Sequence, residues 1–306
     1  IMTKILAIQG SDLKKVNIKT DTTILLASEA QKRGYKIYYF EPENLSFLNG
    51  KILAFCKHIK INENKKKYYS LLRNVKFNLE KSKIILIRND PPFDNRYLYT
   101  TFLLNHISNK VKIINHPFAV RNISEKLFSI NLMRYMPPTL ISENLSEIKS
   151  FFKKHKAVVA KPINGFSGNN VILMKTFNSS KIRKLIKTNN HLFFQKFLPG
   201  VSKGDKRVFI IKGKIVGAIS RIPKKGSILS NMSKGAKAKL TKLTRKEVNV
   251  SKVIGKLLVK NNIYFAGIDF VQGKLIGDIN VTSPTGLAAY KDLSGINLAK
   301  LFWNNI

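Results

Sequence analysis

Two aspartates stand inside segments otherwise built for burial, and they limit what this chain can become. Residues 264–271 and 274–281 are runs of strand-forming side chains joined by Gln272-Gly273, which reads as a β-hairpin. Asp269 sits in Gly267-Ile268-Asp269-Phe270, and Asp278 in Gly277-Asp278-Ile279-Asn280-Val281. After residue 150 the only acids are Asp205, Glu247, Asp269, Asp278 and Asp292, so these two are a scarce resource. A buried carboxylate is costly unless it is paired or bound to a metal, so this sheet must turn one face towards cations. Across a hairpin turning near Gly273 the aspartates are about level, and the two-residue period of a strand puts Asn280 on the face of Asp278. Two carboxylates and an amide oxygen form an all-oxygen set of the kind that holds Mg²⁺ together with waters and phosphates. The alternative is that both acids pair with nearby lysines.

Charge is the next constraint. Lys and Arg number 55 against 17 Asp and Glu, a net charge of +38. Such an excess attracts polyanions. The lysines are scattered, however, and Asn, Ile, Phe and Tyr are also abundant. Those residues share A/T-rich codons, so genome composition accounts for the pattern without a nucleic-acid partner, and a basic second half also draws in ATP. The single cysteine, Cys56, follows Ile52-Leu53-Ala54-Phe55 and reads as a small buried hydrophobe, compatible with a reducing cytoplasm. No apolar run approaches the ~18 residues of a membrane span, and residues 1–7 turn polar too soon for a signal peptide. His58, His106, His116, His155 and His191 show no metal spacing, and no Ser-His-Asp or Cys-His arrangement suggests itself.

The first ~120 residues alternate strand and helix signals. Strands are expected at 4–9, 36–40, 84–88 and 111–115, with a helix capped by Asp21, running to Arg33 and ended by Gly34. That succession implies a parallel sheet with covering helices, whose ligands bind beyond the carboxyl ends of the strands. Residues 9–12 and 88–94 lie at such ends and are candidate substrate contacts. Arg88 leads the stiff segment Asn89-Asp90-Pro91-Pro92-Phe93-Asp94 and can grip a carboxylate bidentately; a plain turn with a surface ion pair is the alternative. From about 121 to 195 the pattern becomes helix, strand, loop, strand, helix, strand. Lys161, at a strand end, opens the loop that contains Gly165 and Gly168, and glycine lets a backbone approach phosphates closely. This loop is neither a P-loop nor a dinucleotide fingerprint. After Pro199-Gly200 a hairpin is expected through Lys212-Gly213, then an aperiodic stretch, 224–242, of the length of a lid.

In this order the segments resemble bacterial glutathione synthetase, an ATP-grasp ligase, along essentially the whole chain. The resemblance is carried by residues 17–22, 29–34, 88–94, 121–128, the Lys161-Pro162 loop, Gly204-Asp205-Lys206-Arg207-Val208, Arg221-Ile222-Pro223 and residues 278–285. It implies an α/β fold, α+β in its ATP-grasp part: an N-terminal parallel α/β substrate domain at 1–120, a central ATP-grasp subdomain with the glycine loop at 121–198, and a C-terminal one with lid and metal site at 199–306. By that resemblance Lys126 and Lys161 contact ATP, the Gly165–Gly168 loop closes over its phosphates, and residues 195–198, Gln195 to Leu198, line the adenine pocket. Arg207 meets the transferred phosphate and Arg221 steadies the acyl phosphate. Asp269, Asp278 and Asn280 hold two Mg²⁺, with Mn²⁺ as a substitute. Arg88, Asn280, Ser283 and Thr285 hold γ-glutamylcysteine. The implied reaction joins γ-glutamylcysteine to glycine through an acyl phosphate, in a cytoplasmic homo-oligomer, tetramer or dimer, with neither a membrane nor a specific nucleic acid as partner.

The chain departs from the family at four places. Asp278 replaces the usual Glu. The lid reads Ser227-Ile228-Leu229-Ser230-Asn231 and Lys234-Gly235-Ala236-Lys237, where the family is rich in glycine and bears arginine. Gly286-Leu287-Ala288-Ala289-Tyr290 replaces an Arg-Glu pair, and Lys196 stands where an acid or amide is usual. Two other readings therefore remain: an ATP-grasp ligase for a different acid or amine, and a degenerate ligase fold that binds nucleic acid.

Overall fold

A run of aliphatic residues followed by a capped, apolar-faced segment builds the first layer. In the computed structural model, which describes residues 4–17, 20–62, 67–166 and 168–306, β1 (Ile5–Gly10) leads to α1 (Thr22–Lys32). The Asp21 carboxylate closes the first helical turn by accepting the Ile24 N–H at 2.7 Å. Gly34, at φ +84°, returns the chain to β2 (Lys36–Phe40). Next come β3 (Leu45–Leu48), β4 (Lys51–Ile61), β5 (Tyr69–Asn78), β6 (Ile84–Arg88), α2 (Asn95–Asn105), β7 (Lys112–Ile114) and α3 (Pro117–Asn122). The sheet order is β3-β4-β2-β1-β6-β7, with β5 on β4.

The neighbours β2, β1, β6 and β7 are parallel, as expected, whereas β3, β4 and β5 extend the sheet antiparallel from β2. The expectation of a parallel sheet therefore covers only its central part. The physical reason is one-sided burial. β4 alternates buried Ile52, Ala54, Cys56, Ile59 and Ile61 with polar or exposed positions, the habit of an antiparallel strand with one wet face. Its lysines and histidine mask the strand in a search for continuous apolar runs. Cys56 is buried here, as its neighbours suggested.

The second layer contains β8 (Thr139–Ser142), α4 (Leu145–His155), β9 (Val158–Pro162), β10 (Ile172–Met174), α5 (Ser179–Asn189) and β11 (Leu192–Lys196). Its order is β10-β9-β11-β8, and the helices pack on it through a small core of Ile148, Phe152, Ile182 and Phe194.

The third contains β12 (Asp205–Ile211), β13 (Lys214–Ile222), β14 (Lys237–Leu240), α6 (Arg245–Lys260), β15 (Phe265–Val271) and β16 (Lys274–Asn280), ordered β14-β13-β12-β15-β16. Both expected hairpins are present, and their turn residues have positive φ: Lys212 +49° and Gly213 +74°, Gln272 +49° and Gly273 +68°. The aperiodic stretch is shorter than expected, because residues 237–240 pair with β13 as β14. Four residues are too few to reveal a period, and two of them are lysines.

Finally α7 (Leu287–Ser294) and α8 (Leu298–Asn304) return to the first layer, where the Trp303 indole N–H donates to Leu26 O at 2.9 Å. The Asn115 side chain joins the same two layers: its amide donates to Phe265 O and Val281 O at 2.7 Å, and its carbonyl accepts from Tyr264 and Phe265 N–H at 2.9 Å. Leu6, Leu26, Phe209 and Phe265 share one hydrophobic cluster, so the first and third layers bury a common core. Among the described residues no helix is long and apolar enough to cross a membrane.

Candidate functional site

A cleft of about 720 Å³ opens where the three layers meet, and side chains of all three line it. Antiparallel register sets its floor. On β12 and β15, Arg207 faces Asp269; on β12 and β13, Asp205 faces Arg221. Cross-strand neighbours are close enough to bond directly. Arg207 grips Asp269 through Nε at 2.8 Å and Nη2 at 2.6 Å, and Arg221 grips Asp205 through Nε at 2.8 Å and Nη2 at 2.5 Å. The Arg221 Nη2 also reaches Asp269 Oδ2 at 3.0 Å, closing a buried chain of two arginines and two aspartates.

The aspartates of that chain differ. Burial pushes Asp269 up, but Arg207 and Arg221 outweigh it and hold the carboxyl well below its ordinary range. Asp205 shares only Arg221, so burial prevails and carries it up to about 6. Both aspartates in turn hold Arg221 above the ordinary guanidinium value despite its burial.

The β15–β16 ladder slips between Ile268 and Phe270, with Gly277 at φ +86° on the longer side. Because Ile268 pairs with Ile279 beyond the slip, Asp278 comes about level with Asp269, as expected, whereas the register next to the turn, continued without a slip, would leave it opposite Gly267. It also lies 3.5 Å from Lys126 Nζ and 3.7 Å from Lys161 Nζ. Lys126 also donates to Gly165 O at 2.6 Å, and Lys161 to Ile276 O at 2.9 Å and Gln195 Oε1 at 3.3 Å. Both lysines are buried, and burial lowers the pKa of Lys161 against the pull of Asp278. Such charges, held near a cleft with a single carboxylate between them, suit a polyphosphate.

Asn280 donates to Gly267 O at 3.1 Å and to Asp269 Oδ2 at 3.3 Å, leaving its carbonyl oxygen for another partner. Asp269, Asp278 and Asn280 all line the cleft, and their donors are oxygens, as a hard divalent cation requires. Among the described residues no group of three or more His, Cys, Asp or Glu gathers as a metal cluster, so phosphate and water oxygens would supply the remaining ligands. Asp269 would also have to share its oxygens with the arginines.

Gly165, Gly168, Gln195, Lys196 and Leu198 line one end of the cleft; Ser167 of the glycine loop lies outside the described residues. Residues 228–233 cover this end, and a Cβ on Gly168 would meet Asn231 Oδ1 at 2.8 Å. The opposite wall carries Ser11, Asp12, Asp21, Asp90, Ser283 and Thr285. Ile18 and Lys19, inside the resembling segment 17–22, lie outside the described residues. Arg88 is buried behind this wall, with Nε on Thr23 Oγ1 at 3.1 Å and Nη2 on Pro284 O at 2.9 Å, so the surface ion pair does not form. Gln9 is likewise inside, donating to Asn89 Oδ1 at 2.7 Å.

None of residues 286–290 lines the cleft: Gly286 accepts φ +116° and α7 leads away. Two cleft residues were not anticipated. Asp205 was only part of a matching segment. Glu125 accepts from Val281 N–H, Thr282 N–H and Thr282 Oγ1 at 2.8–3.0 Å, and so holds the strand end that carries Asn280. Asp205 had a further readable signal, a rare acid two residues before Arg207, whereas Glu125 stood only within the matching segment 121–128.

Two sequence profiles cover most of the chain: "Prokaryotic glutathione synthetase, N-terminal domain" matches residues 5–121, and "Prokaryotic glutathione synthetase, ATP-grasp domain" matches residues 125–295. A glutathione synthetase of Bradyrhizobium diazoefficiens is 36% identical over 304 residues, spanning 98% of this chain and 96% of that protein. One from Rhodopseudomonas palustris is 35% identical over 309 residues, spanning 100% and 98%. Among solved structures, D-cycloserine synthetase DcsG matches with a TM-score of 0.66 over 98% of this chain and 99% of that one; at 13% identity this likeness concerns the fold alone.

Proposed function

This chain belongs to the prokaryotic glutathione synthetase family, and we infer from that membership that it joins γ-glutamylcysteine to glycine, converting ATP to ADP and phosphate. It is an ATP-dependent carboxylate–amine ligase. The observation that carries the reading is the match along nearly the whole chain, substrate-side domain included.

A carboxylate does not accept an amine directly, because oxide is too poor a leaving group. The cysteinyl carboxylate therefore attacks the γ-phosphorus of ATP, ADP departs, and an acyl phosphate remains. The glycine amine then adds to the acyl carbon, loses a proton, and phosphate leaves. Lys126 and Lys161 neutralise the nucleotide phosphates, and the backbone of the Gly165–Gly168 loop closes over them. Gln195 to Leu198 hold adenine. Arg207 follows the transferred phosphoryl group, and Arg221, anchored by Asp205, steadies the acyl phosphate. Residues 228–233 act as the lid that keeps water from the acyl phosphate. Arg88, Asn280, Ser283 and Thr285 hold the dipeptide.

Asp269, Asp278 and Asn280 would hold Mg²⁺, in our reading two ions, with Mn²⁺ able to substitute. The metal supplies charge neutralisation on the phosphoryl oxygens when bound. We place the enzyme in the cytoplasm as a homo-oligomer, a dimer or tetramer.

The test is phosphate release from Mg-ATP with γ-glutamylcysteine, with and without glycine. Glycine-dependent release with stoichiometric tripeptide is the expected result. Turnover confined to another acid or amine would move the chain to a different ligase activity. No turnover by folded protein, together with steeply salt-dependent RNA binding, would favour the degenerate reading.

A further inference from the structure

β16 is the outer strand of its sheet, and among the described residues no strand pairs with its free edge. The ladder with β15 ends at Asn280, opposite Gly267. Val281 and Thr282 follow it and are buried, so their N–H groups need partners inside the protein. One residue provides them. Glu125 Oε1 accepts from Val281 N–H at 2.8 Å, from Thr282 N–H at 3.0 Å and from Thr282 Oγ1 at 2.8 Å. The main-chain oxygen of Glu125 accepts from Ile279 N–H at 3.0 Å. Asn280 is therefore held on both sides, through Ile279 and through Val281, by the same residue.

The next residue completes the clamp. Lys126 Nζ lies 3.5 Å from Asp278 Oδ1 and donates to Gly165 O at 2.6 Å. Two consecutive residues thus touch positions 278, 279, 281 and 282 together with the glycine loop. The direction of a side-chain amide follows its backbone. The Asn280 nitrogen is committed to Gly267 O and Asp269 Oδ2, which leaves only its oxygen for an ion. A shift of the strand end would turn that oxygen away from Asp269 and Asp278. Glu125 lines the cleft, yet its Oε1 is directed to the strand end.

We propose that Glu125 is a positioning residue for the metal site: it acts through Val281 and Thr282 to hold Asn280, and with it a bound divalent cation, in register with Asp278. The proposal rests on the reading of Asp269, Asp278 and Asn280 as metal ligands and names the residue that keeps those donors together. All three groups that meet Oε1 are donors, so the position requires an acceptor at the right reach rather than a charge. Glutamine keeps both the acceptor and the reach. Aspartate keeps the charge but is one methylene too short to meet Val281 and Thr282 together.

The experiment follows Mn²⁺ binding by electron paramagnetic resonance in the presence of ADP, which needs no turnover. Changing a residue that orients metal ligands typically costs 10–100-fold in affinity. Glu125→Asp should weaken Mn²⁺ binding by about 10–100-fold, while Glu125→Gln stays within about 2-fold of wild type. In the assay of phosphate release, Glu125→Asp should need more Mg²⁺ and recover kcat when Mg²⁺ is raised. Thermal unfolding of each variant separates lost stability from lost binding. A folded Glu125→Asp that binds Mn²⁺ within about 2-fold of wild type would overturn the proposal, because the contact would then serve stability alone. Loss in Glu125→Gln, with or without loss in Glu125→Asp, would also overturn it, because the charge would then act on the ion itself. So would a wild-type protein that binds no Mn²⁺. Should Glu125→Asp not fold, Thr282→Val takes its place: it removes one of the three donors and should weaken Mn²⁺ by about 5-fold, and no change would sink the idea. A chain that forms no tripeptide yet separates aspartate from glutamine at position 125 keeps the clamp and loses the ligase reading.

Discussion

Two arginine–aspartate groups at the same cleft are built in opposite ways, one wholly buried and one in which only the arginine is. On the phosphate wall, Arg207, Asp269, Arg221 and Asp205 form an unbroken chain of contacts of 2.5–3.0 Å. On the substrate wall, Arg88, Asp21 and Asp90 feel one another's charge but do not touch within ion-pair distance. Topology explains the difference. Antiparallel register holds β12, β13 and β15 side by side, so residues opposite one another meet. Arg88 ends a parallel strand, Asp21 starts a helix, and Asp90 lies in a loop, so their side chains converge on a crevice rather than on each other. A self-satisfied group can stay charged and ready before the nucleotide arrives.

Asp269→Ala tests the first half of that contrast and should have the largest effect. Without Asp269, two buried guanidinium groups are left with the single carboxylate of Asp205. Breaking a buried pair by removing one partner typically destabilises by about 3–5 kcal/mol. Urea unfolding should show a loss of that order, and phosphate release should fall by about 1,000-fold. By contrast, Arg88 already tolerates an open donor, its buried Nη1, so Asp90→Asn should move the unfolding midpoint by less than about 1 kcal/mol. Comparable losses from the two changes would erase the distinction between the walls.

A pH titration examines the paired chain from within. Asp205, raised to about 6, binds a proton in the fold that it has lost when unfolded near 3.8. Its contribution to stability is thus present below about pH 4 and is lost as pH rises through about 6, on the order of 3 kcal/mol. Asp269 runs the other way: its depressed value adds stability above about pH 4, which is lost only as pH falls further. Between pH 4 and 6 Asp269 adds no slope, and the other groups that burial shifts there, Asp21 upwards and His58, His116 and His155 downwards, contribute to wild type and variant alike. Comparing the denaturant midpoint of wild type with that of Asp205→Asn across this window isolates the Asp205 slope, and the variant should lack that component. An unchanged slope would mean that Arg221 holds Asp205 ionised as firmly as it holds Asp269.

Much of this architecture can be read locally, and what cannot is long-range. The turns at Lys212-Gly213 and Gln272-Gly273, the cap at Asp21 and the strand ending at Arg88 all declare themselves within a few residues. The pairing of Arg207 with Asp269 does not, because it depends on a register between strands 62 positions apart. The approach of Asp278 to Lys126 and Lys161 likewise depends on packing between segments far apart in the chain, and no period of two anticipates the bulge at Gly277. β4 and β5 were missed because lysines on their wet faces interrupt the apolar pattern. Arg88 could be read as a carboxylate grip or as half of a surface ion pair; only the packing of Thr23, Pro284 and Phe265 around it shows that it is enclosed.

The smallest expected effect concerns the cover over the glycine loop. Gly168 and Gly34 both have φ in the left-handed region, +71° and +84°, so an alanine at either strains the backbone by about 1–2 kcal/mol. Around Gly34 a new Cβ meets nothing within 4 Å, whereas at Gly168 it meets Asn231 Oδ1 at 2.8 Å and Leu229 Cδ2 at 3.1 Å. Strain is thus common to both variants, and displacement of the lid belongs to one. Thermal unfolding should show similar losses for Gly34→Ala and Gly168→Ala, while KM for ATP should rise a few-fold in Gly168→Ala alone. If KM for ATP stays level in both, residues 228–233 do not close with the glycine loop.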